Sequence, residues 1–401
     1  MDQLKTANRN IKLYVFVRIF AKRVFIPLTA IYFIDTSGFT IREIGLLSAF
    51  FSLIQLLAEV PTGYFADRIG RVASIRVGAI LAAFATTIYV YIHHKTGIYL
   101  GVMLEALGYS FLGGAGEALI HDSLVIKNKV ADYTKVLSRT QSVSLIANAA
   151  LIALVPMTYT INKTYPFVIG TLAYLLLFTF ALFMHDVTRS VSVATHKFQG
   201  LTHIAGKRHL LLFALTFGII AAMYTSPSDM FNIALRDYGI NVSLIGWVYA
   251  LGSILGALIG PVFHHLRKLR LSSYLLIDVT SLLSVYLAAF TREPYLLVAA
   301  VIFGIGFWRY RRIIYQDYLL TIYPTKYKAT LISAMNNLEQ LNAIWLPLLI
   351  TSSVYYFGIS RGLGLIGLFG LFIAPFFVYS TLRFFRRDPL MVVANQTTDN
   401  V

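Results

Sequence analysis

The chain contains no cysteine. That excludes disulfide staples, a thiol nucleophile and every cysteine-based metal site. It leaves the redox compartment open, because packed helices with short joins need no staple. Charge is scarce too: Asp, Glu, Lys and Arg make up 13% of the 401 residues, and only 18 are acidic. No GxxxxGK[ST] phosphate loop occurs, so nothing points to ATP as the energy source. Catalytic groups are thin as well. Glu117 with His121, four residues apart, is the one compact acid–base pair, too little to expect an enzyme. The His93–His94 and His264–His265 pairs point about 100° apart on a helix, so no metal site and no cofactor are expected.

What the chain has in excess is oil. Hydrophobic residues make up 57%, more apolar surface than a water-soluble core can hide. Runs of about 20 apolar residues cross roughly 30 Å of hydrocarbon at about 1.5 Å per residue, and twelve can be laid down with short joins. The expected spans are 11–36, 42–64, 73–93, 98–125, 135–160, 165–186, 208–236, 242–264, 272–290, 295–320, 329–357 and 361–384. The polar N-terminus, MDQLKTANRNIK, leads into the first span as a signal anchor without a cleavage site.

A net charge of +16 raises the question of nucleic acid. With the N-terminus inside, most of the 34 Lys and Arg fall at the cytoplasmic ends of the spans, the positive-inside pattern. Clusters such as Arg267, Lys268 and Arg270 then anchor the topology against anionic lipid, and no nucleic acid partner is expected.

The longest polar interruption, 187–207, divides the chain into 1–186, a six-helix bundle, and 208–401, a second bundle with a short cytoplasmic tail. The halves repeat each other at an offset of about 200 residues. GFTIREIG (38–45) faces GINVSLIG (239–246), SLIQLLAEVP (52–61) faces SILGALIGP (253–261), and EALIHDSL (117–124) faces RRIIYQDYL (311–319). The fold class that follows is an all-α membrane protein of twelve transmembrane helices in two parallel six-helix halves.

At the join between the second and third spans stands EVPTGYFADRIGR, residues 59–71. Its Gly63, Asp67, Arg68, Gly70 and Arg71 resemble the loop signature of the major facilitator superfamily. The last basic position of that signature is Val72 here, and the counterpart FHHLRKLR (263–270) lacks the Asp and the Gly. Within the motif, Gly63 is expected to let two helices approach, Gly70 to allow a tight turn, and Asp67 to face the positive end of a neighbouring helix. Twelve spans in two halves with a central linker are also that superfamily's architecture. The resemblance implies a monomeric secondary transporter of a small organic solute in a bacterial inner membrane, working by alternating access with both termini cytoplasmic. Multidrug efflux and a transport-inactive receptor or scaffold are the alternatives. The fifth span lacks the glycine-rich motif usual in drug–proton antiporters, and neither terminus resembles a soluble extension.

The resemblance also implies that the first, fourth, seventh and tenth spans line a central cavity, and three of them carry charge. By depth and by the 100° helical step, Arg18 and Lys22 share one face, Glu117 and His121 another, and Arg309, Arg312 and Gln316 a third. Arg18, Lys22, Arg309, Arg312 and Gln316 are the candidates for an anionic substrate group, since guanidinium forks grip carboxylate or phosphate at two points. Glu117, His121 and Asp122 are the candidates for coupling to protons. Arg311 points away from Arg309 and needs a buried partner. Glu339, at matching depth on the eleventh span, is the expected one. The other reading of all these charges is a structural ion-pair network.

Overall fold

The structure is a computed structural model that describes residues 3–187, 208–266, 271–322 and 328–387. Among these residues it is all helical. In chain order the helices are α1 (Gln3–Phe20), α2 (Thr29–Ser37), α3 (Ile41–Arg68), α4 (Arg71–Tyr91), α5 (Lys95–Leu112), α6 (Ala115–Ile126), α7 (Tyr133–Leu154) and α8 (Tyr165–Leu182). They continue with α9 (Arg208–Thr225), α10 (Ser228–Asp237), α11 (Val242–Leu266), α12 (Leu271–Thr291), α13 (Pro294–Ile322), α14 (Lys328–Phe357) and α15 (Ile359–Arg387).

Among the described residues, seven helical segments are long and apolar enough to cross a bilayer: Ile41–Arg68, Arg71–Tyr91, Lys95–Ile126, Val130–Thr160, Tyr165–Leu182, Ser272–Thr291 and Ile359–Arg383. Val242–Leu258 and Pro294–Trp308 are shorter apolar helices. Helix α15 shows the solvent these helices are built for. Leu365, Leu368, Phe372, Phe376 and Tyr379 recur at three- and four-residue steps, and all are exposed. Such a stripe would be a liability in water and is ordinary against lipid tails.

Several spans expected to be continuous are broken. The first is cut between Phe20 and Ile26, where a short 3-10 turn, Ile26–Leu28, leads into α2. Pro27 sits in that turn. It has no N–H to give the carbonyl four residues back, at Arg23, and its ring crowds that carbonyl. Lys22 therefore lies past the end of α1, and the helical face it was expected to share with Arg18 does not exist. The fourth span is interrupted at Gly113–Gly114, between α5 and α6. Pro227 parts α9 from α10, and Pro156 opens a 3-10 stretch after α7.

Contacts group the chain into two compact units, one gathering residues 1–192 and 240–251, the other 193–239 and 252–401. Within the first, α4 is central, packed along α5 and α8, while α1 lies against α6, α7 and α8. Its core joins Tyr14 and Val17 of α1 to Val72, Ile75 and Ala79 of α4, Leu119 and Leu124 of α6, and Leu177 of α8. Within the second, α9 packs on α14 and α15, and α12 on α13 and α15.

The segments 38–45 and 239–246, paired by the sequence, begin alike. Gly38 and Gly239, at matched positions, both take positive φ, +63° and +93°. Two residues on, Thr40 caps α3 in a reciprocal capping box with Glu43, and Asn241 Oδ1 accepts from the Ser243 N–H at 3.0 Å.

Candidate functional site

The motif at 59–71 is not a loop. Helix α3 runs through it to Arg68, with Pro61 inside the helix, and only Ile69 and Gly70 separate it from α4. Gly63 is exposed, and a Cβ there would meet nothing within 4 Å. Among the described residues no other helix of its unit packs closely on Gly63. Gly70 carries the constraint instead. Its φ of +152° with ψ of 144° belongs to glycine, and a Cβ would collide with the Asp186 carboxylate. That carboxylate accepts from the N–H groups of Arg71 and Val72, at 2.9 and 3.3 Å, so it caps the positive start of α4. Arg76, one turn further along, reaches the other way. Its guanidinium donates to the carbonyls of Ala181, Leu182 and Met184 at the end of α8. Asn10 of α1 bonds both the carbonyl and the N–H of His185. Asp67 is exposed on the last turn of α3, and the Arg68 guanidinium lies 5.0 Å from the Tyr64 ring.

Arg71 and Asp122, placed in different roles by the sequence, meet. Arg71 Nε is 3.2 Å from Asp122 Oδ2, both side chains mostly buried. His121 turns its Nδ1 to Asp122 at 3.8 Å and its ring edge-on to Tyr133. Asp122 thereby ties α6 to the turn motif.

One turn towards the start of α6, Arg18 Nη1 donates to Glu117 Oε1 at 3.1 Å, and Nη2 to Gln141 Oε1 at 3.4 Å. Tyr14 OH accepts from the same guanidinium. Glu117 keeps 54% of its side chain exposed against 23% for Arg18, so the carboxylate is the less enclosed partner of the pair. It also sits in the first turn of α6, just past the Gly113–Gly114 break, where a negative charge is favoured.

Two further ion pairs are buried deeper. Arg23, in the interrupted stretch after α1, places Nε 2.8 Å from Glu105 Oε1 and Nη2 3.0 Å from Oε2. Glu105 is fully buried and also accepts from Tyr89 OH at 2.9 Å. In the second unit, Arg311 and Asp278 are both wholly buried. Arg311 Nε lies 2.9 Å from each carboxylate oxygen. Tyr315 OH donates to Oδ2 at 2.8 Å, and Tyr224 OH donates to the Asp278 backbone carbonyl at 2.8 Å and shares its proton with Oδ1 at 3.2 Å. The partner of Arg311 is thus Asp278 of α12 and not the expected Glu339. Helix α12 packs directly on α13, and matching depth says nothing about which neighbouring helix a side chain meets.

Lys22 is exposed beside the α1 break. The side chains of Arg309, Arg312 and Gln316 lie outside the described ones. Among the described residues no three His, Asp or Glu gather as metal ligands. Asp186, Arg76, Asn10 and Asp278 are the structural partners that sequence reasoning did not pair; only their polarity inside or beside apolar runs signalled them.

Comparison with known proteins fixes the family. Residues 13–347 match the family model described as Major Facilitator Superfamily. YxaM of Bacillus subtilis (strain 168), described as an uncharacterized MFS-type transporter, is 24% identical over 367 residues, 87% of this chain and 88% of its own length. The multidrug resistance protein MdtH of Cronobacter sakazakii (strain ATCC BAA-894) is 22% identical over 287 residues, 70% of each chain. The fold is shared with the solved nucleoside transporter NupG, with a TM-score of 0.81 at 12% identity over 95% of this chain and 99% of that one. A D-xylose–proton symporter matches with a TM-score of 0.64 at 12% identity over 93% and 96%. With a family model spanning most of its length and long apolar helices to match, the chain belongs to the Major Facilitator Superfamily and is an integral membrane transporter of small molecules.

Proposed function

We propose that the protein is a secondary active transporter that carries a small organic anion together with protons by alternating access. In this reading twelve spans form two bundles, 1–186 and 208–401, joined by a cytoplasmic linker at 187–207, in a bacterial inner membrane with both termini inside. The observation that carries it is the Arg18–Glu117 pair, a guanidinium held by a half-exposed carboxylate. When Glu117 takes a proton its charge is lost and its grip on Arg18 weakens. The freed fork then accepts a carboxylate or phosphate of the solute. When Glu117 gives the proton up it competes for Arg18 again and expels the anion. Proton and anion thus favour each other's binding, which is the differential affinity that coupling requires. Lys22, Arg309, Arg312 and Gln316 remain further candidates for the solute. Asp122, held by Arg71, joins Gly63, Asp67, Arg68, Gly70 and Arg71 in the gate, and His121 sits between the gate and the proton site. That a solved neighbour is a proton symporter supports the coupling.

A thermal-shift screen across organic anions, phosphorylated compounds and cationic drugs supplies the solute, and flux into proteoliposomes then tests the coupling. Glu117→Gln should abolish accumulation driven by a pH gradient while exchange of solute across the membrane survives. Loss of both, or of neither, removes Glu117 from the role. The second reading, export of amphipathic compounds, draws on the MdtH relative. Stabilisation by cationic drugs but by no anion would select it.

A further inference from the structure

Arg311 has more than its carboxylate partner. Its Nε side is spent on Asp278. Both Nη atoms are buried and, among the described residues, have no hydrogen-bond partner. These two nitrogens form the terminal fork, the part of a guanidinium that grips a carboxylate or phosphate in two places. Five aromatic rings surround the cation: Phe217 at 4.4 Å from its central carbon, Tyr315 at 4.9 Å, Trp308 at 5.6 Å, Tyr224 at 5.7 Å and Phe377 at 5.9 Å. Their faces offset part of the missing hydrogen bonding. They do not replace it, because a buried donor without an acceptor remains costly.

The cage is closed unevenly. Phe217, Tyr315 and Phe377 are buried, whereas Trp308 and Tyr224 are only half-buried. These two lie against each other, centroids 5.3 Å apart and planes tilted by 34°. Access to the fork therefore runs past an indole and a phenol. A carboxylate has to come within about 2.8 Å of the Nη atoms to bond them, so one of the two rings must turn aside. The ring that moves then lies along whatever carries the carboxylate. A flat aromatic body gains most from that contact, through offset stacking that a saturated body of equal size does not provide.

We infer that the Arg311 fork, behind the Trp308–Tyr224 pair, binds the anionic end of a planar aromatic solute. The inference rests on the proposed transport of organic anions, adds Arg311 as a second anion contact beside Arg18, and narrows the class of solute.

The test uses the full chain purified in detergent, with Trp247→Phe and Trp345→Phe leaving Trp308 as the reporter among its three tryptophans. The probes are benzoate, cyclohexanecarboxylate of the same charge and similar size, and uncharged benzyl alcohol, each read by quenching of Trp308 and by calorimetry. Benzoate should bind about fivefold to tenfold more tightly than either of the others, the range that an added aromatic contact supplies. Trp308→Leu and Tyr224→Leu, read by calorimetry and checked for an intact melting transition, should each bring benzoate down towards the level of cyclohexanecarboxylate. Equal binding of the two carboxylates overturns the aromatic preference while leaving anion transport standing. Binding of benzyl alcohol alone overturns both. Persistence of the preference in both leucine variants, or no binding of any probe at millimolar concentration, also refutes the assignment.

Discussion

Arg311→Gln removes one half of a wholly buried ion pair and strands the other. In the native protein the Asp278 carboxylate is met by Arg311 Nε at 2.9 Å on both oxygens and by the hydroxyls of Tyr315 and Tyr224. The substitution leaves two hydroxyl donors and no countercharge. Breaking a buried pair in this way costs about 3–5 kcal/mol. The surviving hydroxyls place the expected loss near the low end, about 3 kcal/mol, because the carboxylate keeps part of its solvation. Asp278→Asn should cost a similar amount, about 3 kcal/mol, since it leaves a buried cation with a neutral amide oxygen and ring faces but no countercharge. Joined in one chain the two changes should cost less than their sum, with a coupling of about 1–3 kcal/mol. Thermal unfolding in detergent ranks the four proteins by Tm. Glu339→Gln, made on the Arg311→Gln background, should restore nothing, because Asp278 and not Glu339 is the stranded partner. An Arg311→Gln protein that melts with the wild type, or a double variant no more stable than the sum of its parts predicts, would refute this account of the pair.

Gly70→Ala should lower stability by about 1–3 kcal/mol, because it forces a side chain into a glycine-only backbone conformation and against Asp186. In an Asp186→Ala background, read by the same melting assay, the added loss should be smaller, since the obstructing carboxylate is gone. Asp67→Asn should leave the exposed end of α3 folded and impair transport, if its charge serves closure of the gate. Normal expression with unchanged flux in proteoliposomes would count against that role.

Helix positions were legible because the bilayer demands long apolar runs, and few other environments produce them. The breaks were less so. Pro27 and the Gly113–Gly114 pair stand in plain view, but apolar content alone does not distinguish a bent span from a cut one. Pairing was the least legible layer. Arg23 and Glu105 were both visible as charges inside apolar runs, yet nothing in the sequence says that they meet across 82 positions. For Arg311, matching depth points to Glu339, 28 positions on, whereas its partner in the structure is Asp278, 33 positions back. Helical periodicity orders the faces of one helix; it carries no information on which neighbour each face meets. The motif at 59–71 showed the opposite balance. Its residue types were recognisable, but the residue that explains Gly70 is Asp186, a lone acid more than a hundred positions away.

The ties from α4 to the end of α8 also set a schedule for synthesis. Arg76 grips carbonyls 105 to 108 residues downstream, and Asp186 caps a helix begun 115 residues before it. At about 5–20 residues per second of translation, roughly 5–20 s pass between the emergence of α4 and that of its clasps. Through that interval the start of α4 lacks its cap and Arg76 has no carbonyls to hold. The first unit can therefore lock only after residue 186 has left the ribosome, and chains cut short before that point should be prime substrates for membrane proteases.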